Sequence, residues 1–354
     1  MHATKREILI VTLLAVTSLG AVSQDTRLIE AARSADLTKV GALLEQRVDV
    51  NAPQADGATA LHWAAHWDDD GMADALIRAG AAVDATNDFG VTPLWLASLN
   101  GNATMVKMLL TAGADASVAL PSGETVLMTA ARSGSAETVS HLVTHGANLN
   151  AQEHSRGQTA LMWAVAQQHP EAVKALIEHG ADVHMRSTPR PRRIHTRTAG
   201  FNPAGVIDIV QGGFTAILFA ARTGNLNAAT LLVAGGANVN DTSLSGTSAL
   251  VVAAHSGHTA LARFLLGQGA DPNADNAGYS ALHTATLRGD LDLVKALLAQ
   301  GADPNALVER GSPGRRNSPD YVLEHDVVGA PAFWLAARFG EPGIMRALAD
   351  HGAE

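Results

Sequence analysis

A Gly-Ala pair that closes an apolar run recurs along this chain at a near-constant interval, and that recurrence constrains the fold more than any other feature. The pair starts at Gly80, Gly113, Gly146, Gly180, Gly236, Gly269, Gly301 and Gly352, at spacings of 33, 33, 34, 56, 33, 32 and 51. A second landmark, the apolar residue two places after a Thr or Ser (Pro331 in the last unit), falls at Leu61, Leu94, Leu127, Leu161, Ile217, Leu250, Leu282 and Phe333 and gives the same series. The two long intervals equal a period of 33 enlarged by 23 and by 18 residues, so they are insertions into a constant array. A chain of 354 residues would otherwise divide into roughly two or three compact domains. An array grows by adding units rather than cores.

Each unit reads as two short helices. Thr59, Thr92, Thr125, Thr159, Thr215, Ser248 and Ser280 stand where an N-cap hydroxyl is wanted. Pro93 follows at the first helical position, where a missing N–H costs nothing. Small pairs such as Ala64-Ala65, Ala130-Ala131, Ala220-Ala221 and Ala253-Ala254 permit close helix approach. Gly101, Gly134, Gly224, Gly257 and Gly289 break the first helix, and a second helix with an apolar face follows, as in Val294, Leu297 and Leu298. The glycine of each Gly-Ala pair is a natural left-handed helix end. Asn/Asp-rich stretches such as Asp303-Pro304-Asn305 then turn the chain into the next unit.

With these residues in place the unit resembles the ankyrin repeat, whose pattern runs Gly-x-Thr-Pro-Leu-His-x-Ala-Ala-x-x-Gly, then a helix, then Gly-Ala-Asp-x-Asn. Gly90-Val91-Thr92-Pro93-Leu94 and Gly301-Ala302-Asp303-Pro304-Asn305 match it closely. The proline is mostly replaced by alanine, and the histidine is kept only at His62 and His283. The resemblance implies an all-α solenoid of about eight helix-turn-helix repeats over residues 24–354, with insertions near 186–211 and 307–326. Residues 26–52 form a degenerate first unit, and its Val48-Asp49-Val50-Asn51 aligns with Ala81-Ala82-Val83-Asp84, so they are expected to cap the array. The chain stops in mid-pattern at Gly352-Ala353-Glu354, and a further segment is expected beyond it.

The same resemblance implies a partner protein on a concave side built from the hairpin fingers and two positions late in each first helix. Those late positions are His66 and Trp67, Leu99 and Asn100, Arg132 and Ser133, Ala166 and Gln167, Arg222 and Thr223, His255 and Ser256, Leu287 and Arg288, and Arg338 and Phe339. The fingers add Phe89, Val91, Arg156, Phe214 and Tyr279. Aromatic and arginine side chains dominate interface energetics. Arg132, Arg222, Arg288 and Arg338 are expected to form one row suited to a carboxylate-bearing partner. The plain alternative is a row of solvated side chains with no common ligand. Trp63, Trp163 and Phe219 are expected in the core between repeats.

The first insertion carries Arg186, Arg190, Arg192, Arg193 and Arg197 with His195. It reads either as a basic arm for a polyanion or acidic surface or, given Pro189 and Pro191, as a solvated loop. The charges of the second insertion, Arg315 and Arg316 against Asp320, Glu324 and Asp326, nearly balance.

Catalysis finds little support. The chain has no cysteine, hence no disulfide, thiolate metal site or Cys nucleophile, and carries no Gly-x-Ser-x-Gly, His-Glu-x-x-His or phosphate-loop pattern. His62/His66 and His141/His145 are i,i+4 pairs, but zinc needs a third ligand, so no metal and no cofactor is expected. Asp68-Asp69-Asp70 reads as a solvated helix break. A net charge of -9 argues against generic nucleic-acid binding. Lys5 and Arg6, the apolar run Ile8 to Val16 and the small-x-small Ala21-Val22-Ser23 read as a signal peptide at residues 1–23, cleaved near Ser23. No later run reaches transmembrane length. The expectation is therefore an exported, monomeric protein-binding scaffold. The alternative is a regulatory or targeting segment of an enzyme whose catalytic part lies past residue 354.

Overall fold

The computed structural model describes residues 25–195, 206–309 and 327–354. The segment read as a signal peptide, Arg197 and the charged residues named in the second insertion lie outside the described residues. Among the described residues eighteen helices form nine hairpins. The first is α1 (Arg27–Arg33) with α2 (Leu37–Glu45), followed by α3 (Ala60–His66) with α4 (Asp70–Arg78), and α5 (Pro93–Asn100) with α6 (Ala103–Thr111). Then come α7 (Val126–Ser133) with α8 (Ala136–Thr144), α9 (Ala160–Ala166) with α10 (Pro170–Glu178), and α11 (Ala216–Thr223) with α12 (Leu226–Ala234). The last three are α13 (Ala249–Ser256) with α14 (Thr259–Gly267), α15 (Ala281–Arg288) with α16 (Leu291–Ala299), and α17 (Ala332–Arg338) with α18 (Pro342–Ala349).

First helices pack on first helices and second on second, unit after unit, through both insertions. The leucine landmarks Leu61, Leu94, Leu127, Leu161, Leu250 and Leu282, with Ile217, are fully buried, as are the small pairs beside them. Burying each such aliphatic side chain contributes about 1.5–3 kcal/mol. The degenerate first unit is a genuine hairpin, with Leu28, Ala32 and Val40 in the common core.

The predicted caps form except at Thr215, whose hydroxyl makes no cap hydrogen bond. Thr92, Thr125, Thr159 and Ser248 accept from the backbone N–H three residues on. The triple-Asp stretch also dissolves into caps: Asp69 accepts from the N–H of Met72, and Asp68 and Asp70 receive side-chain amides of the next unit. The first helices end on left-handed residues, glycine at Gly101, Gly134, Gly224, Gly257 and Gly289, but Ala35, Asp68 and Gln168 where glycine is missing.

Hydrogen bonds then lock unit to unit. Asn51 donates to the carbonyl of Gly80 and accepts from the N–H of Ala82, and Asn240, Asn273 and Asn305 repeat the pattern one unit further on. His62 and His283 make a second lock. In each the N-cap N–H donates to Nδ1, so the imidazole carries its proton on Nε2 and donates across the junction, to the carbonyls of Val91 at 3.0 Å and Ala306 at 2.8 Å. Burial pushes both imidazoles below their ordinary range.

The first insertion is an antiparallel hairpin of β1 (Arg190–His195) and β2 (Val206–Gln211), paired from Arg190 opposite Gln211 to His195 opposite Val206. Its two arms are therefore paired strands rather than an irregular loop, with Arg190, Pro191 and Val210 exposed. The β-branched run Val206-Ile207, Ile209-Val210 carries the strand preference that the prolines obscure. The stack closes behind it: the Nδ2 of Asn225 donates to the carbonyl of Val165 at 3.2 Å, and α9 packs on α11.

Candidate interaction surface

The surface with recognition chemistry lies along the C-terminal halves of the first helices, where two columns of residues run side by side. One column contains Glu30, Trp63, Leu96, Thr129, Trp163 and Phe219; the other, three residues later, contains Arg33, His66, Leu99, Arg132, Ala166 and Arg222. The columns interlock through cation–π contacts. Arg33 lies 5.7 Å from the ring centroid of Trp63, Arg132 lies 5.3 Å from Trp163, and Arg222 lies 5.8 Å from Phe219. Arg338 in the last unit covers Trp334 at 5.1 Å and Phe339 at 5.8 Å. Guanidinium groups held over ring faces lose side-chain freedom before any partner arrives, which lowers the ordering cost of association.

The expected residues fall into distinct groups. Trp67, Phe89 and Leu99 are exposed, at 48%, 70% and 38%, and Arg156, Arg222 and Arg338 are exposed as well. Arg156 sits on a finger built by the buried carboxylate of Glu153, which accepts from the backbone N–H groups of Ser155, Arg156 and Gln158. Phe214 and Phe339 are half-buried, and Phe214 rests against Phe219 with centroids 5.7 Å apart.

Four expectations are corrected. Tyr279 is 2% exposed and belongs to the core, and Leu287 at 6% does too, so neither lines the surface. Arg288 does not join the arginine row. It stands one register later, lies in the space left by the absent Cβ of Gly257, and donates to the carbonyl of His255 at 2.8 Å. Arg186 is a staple rather than part of a basic arm. It donates to the carbonyls of Gly213 and Thr242 and pairs with Asp241 at 3.1 Å, fixing the insertion to the next unit. Trp63 and Trp163 pack against the core but are only half-buried, because their outer faces carry the arginines.

Arg132 also pairs with Glu124 at 3.2 Å, so its charge is largely answered within the fold. Arg222 has no carboxylate partner among the described residues. Arg190 is exposed, while Arg192 and Arg193 lie in β1. Arg33 and Glu30 belong to the surface although the motif pattern does not mark them, because the first unit lacks its landmarks.

Among the described residues no three His, Asp or Glu side chains come together to hold a metal ion. His145 Nδ1 is 2.8 Å from the carbonyl of His141, and His141 faces Glu137 at 3.7 Å. No helix among the described residues is long and apolar enough to cross a membrane.

The geometry so far defines a class: a stacked array of helical hairpins with a rigid ladder of arginine and aromatic side chains. The family model described as Ankyrin repeats (3 copies) matches residues 28–120, 113–187 and 217–308, and that described as Ankyrin repeats (many copies) matches residues 161–233. The chain belongs to the ankyrin repeat family. No curated protein matches it. Ankyrin repeats are in general protein–protein interaction modules.

Proposed function

We propose that this chain is a non-catalytic scaffold that holds a protein partner on the concave side of the array, acting as a monomer outside the cytoplasm. The observation that carries the reading is the ladder of arginines over aromatic rings along the ends of the first helices. Such residues supply most of the energy in measured interfaces, and here the backbone beneath them is regular helix locked between units. The exposed guanidinium of Arg222 suits a carboxylate on the partner. The export reading rests on the basic, apolar and small-residue order of residues 1–23.

The test is affinity capture from the extracytoplasmic fraction with the wild-type chain and with a Trp67→Ala/Arg222→Ala/Arg338→Ala variant of unchanged melting temperature. The account expects a partner recovered by the first and lost by the second. Equal recovery of every partner by both removes the assignment.

A further inference from the structure

Three of the five tryptophans already carry an arginine of this chain, and of the other two Trp95 is half-buried and Trp67 is exposed. Trp63, Trp163 and Trp334 are each covered, whereas Trp67 is 48% exposed and has no guanidinium or ammonium over its ring among the described residues. Its ring is nevertheless firmly placed. Nε1 donates to the carbonyl of Arg33 at 3.1 Å, Trp63 stacks behind it at 6.3 Å and 26°, and His66 meets it edge-on at 4.6 Å. One π face is therefore backed and oriented, and the other is open.

Two carboxylates belong to the same stretch of the array. In the preceding unit is Glu30, exposed on α1 one turn before Arg33, accepting from the hydroxyl of Thr26 at 3.0 Å and without a cationic partner among the described residues. Asp68 is next to Trp67 in the chain, its Oδ1 held by the side-chain amides of Asn100 at 3.0 Å and Asn102 at 3.3 Å in the following unit. Those amides are neutral donors, so they orient the carboxylate without cancelling its charge. Leu99 continues the same surface as an exposed apolar step. The surrounding sequence reinforces the sign, with thirteen acidic residues against six basic ones between 25 and 120. Among the described first helices only α1 carries a carboxylate, Glu30.

An exposed aromatic ring in an acid-rich stretch attracts a cation by two additive effects, the ring quadrupole and Coulomb attraction. We infer that the first three units take a lysine- or arginine-bearing extended segment of the partner protein, with one cationic side chain seated on Trp67 in the stretch that carries Glu30 and Asp68. This deepens the concave-face reading and rests on it. The partner then lies in one direction only, its basic segment over α1, α3 and α5 and its acidic groups toward Arg222.

The experiment titrates the full chain with a lysine–glycine repeat peptide, its lysine-acetylated form and a glutamate–glycine repeat, following tryptophan fluorescence. The lysine peptide is expected to bind and to quench, about tenfold more tightly than the acetylated form, and to weaken as salt rises. A Glu30→Gln/Asp68→Asn variant keeps the side-chain shapes and the acceptors for Asn100 and Asn102, and is expected to lose about tenfold in affinity. The Arg222→Ala variant is expected to bind the lysine peptide unchanged. Equal binding of the acetylated peptide, absence of lysine-peptide binding, or undiminished binding by the double variant overturns the inference. A natural partner lost on Arg222→Ala but kept by the double variant removes this inference and leaves the concave face standing. A partner kept by both variants removes the concave face itself.

Discussion

The two ends of the array use the same columns of the first helices for opposite electrostatic purposes. In the first three units the surface holds Glu30, the Trp63–His66–Trp67 cluster and Asp68, and its one arginine of the column, Arg33, is laid over Trp63. In the last four units it holds the exposed Arg222 and Arg338, and Gly224, Gly257, Gly289 and Gly340 stand in the register of Asp68. Between them, Arg132 is divided between Glu124 and the Trp163 ring. Identical repeat geometry thus supports different recognition chemistry. What differs is which charged side chains accompany the rings, Glu30 and Asp68 at one end and the exposed Arg222 and Arg338 at the other.

The largest effect expected from challenging this contrast is at its middle. Trp163→Ala opens a space under Arg132 and is predicted to cost about 3 kcal/mol, read from chemical denaturation. Trp163→Phe should cost under about 1 kcal/mol, because the Nε1 of Trp163 is buried without a hydrogen-bond partner and Phe219 fills the equivalent position one unit later. Equal costs for the two would show that the ring does not support the ladder.

The next effect is at the C-terminal end. Gly257 has φ 78° and the Arg288 side chain occupies the place of a Cβ. Gly257→Ala is therefore predicted to destabilise by about 2 kcal/mol, combining backbone strain with loss of the arginine's seat. An unchanged denaturation midpoint would return Arg288 to the outward-facing row. At the opposite end the same backbone position is Ala35, with φ 54°. Ala35→Gly is predicted to stabilise by about 0.5–1 kcal/mol, so one substitution type should have opposite signs at the two ends.

The histidine locks give the smallest and most symmetrical effect, since His62 and His283 serve both ends. Burial lowers both imidazoles in the folded state. The unfolded chain takes up protons below about pH 6.5 while the folded chain resists. Stability is then complete above that pH and falls as pH drops below it. Thermal melts from pH 7.5 to 5 should show this loss, and a His62→Gln/His283→Gln variant should show less of it.

Periodicity made the architecture legible, because glycine ends, hydroxyl caps and buried leucines each answer to a local requirement of a helical hairpin. The surface was legible only by column. Position alone says that Arg222 and Arg288 both stand in the last turn of a first helix. It does not say that Arg288 folds back onto a glycine and a carbonyl while Arg222 stays outside. Tyr279 was misread for the same reason, since a finger residue can turn inward. Glu30 and Arg33 were passed over because the first unit has no Gly-Ala pair to set its register. The β-hairpin was hidden by Pro189, Pro191 and its arginines, whose sequence signal is that of a solvated arm.

Hydrogen exchange on the complex with the captured partner tests the central claim most directly. The account predicts slowed exchange at the finger turns and the C-terminal ends of α3, α5, α7 and α11, with α4, α6, α8 and α12 unchanged. Protection confined to the second helices, or spread evenly over both, would contradict it.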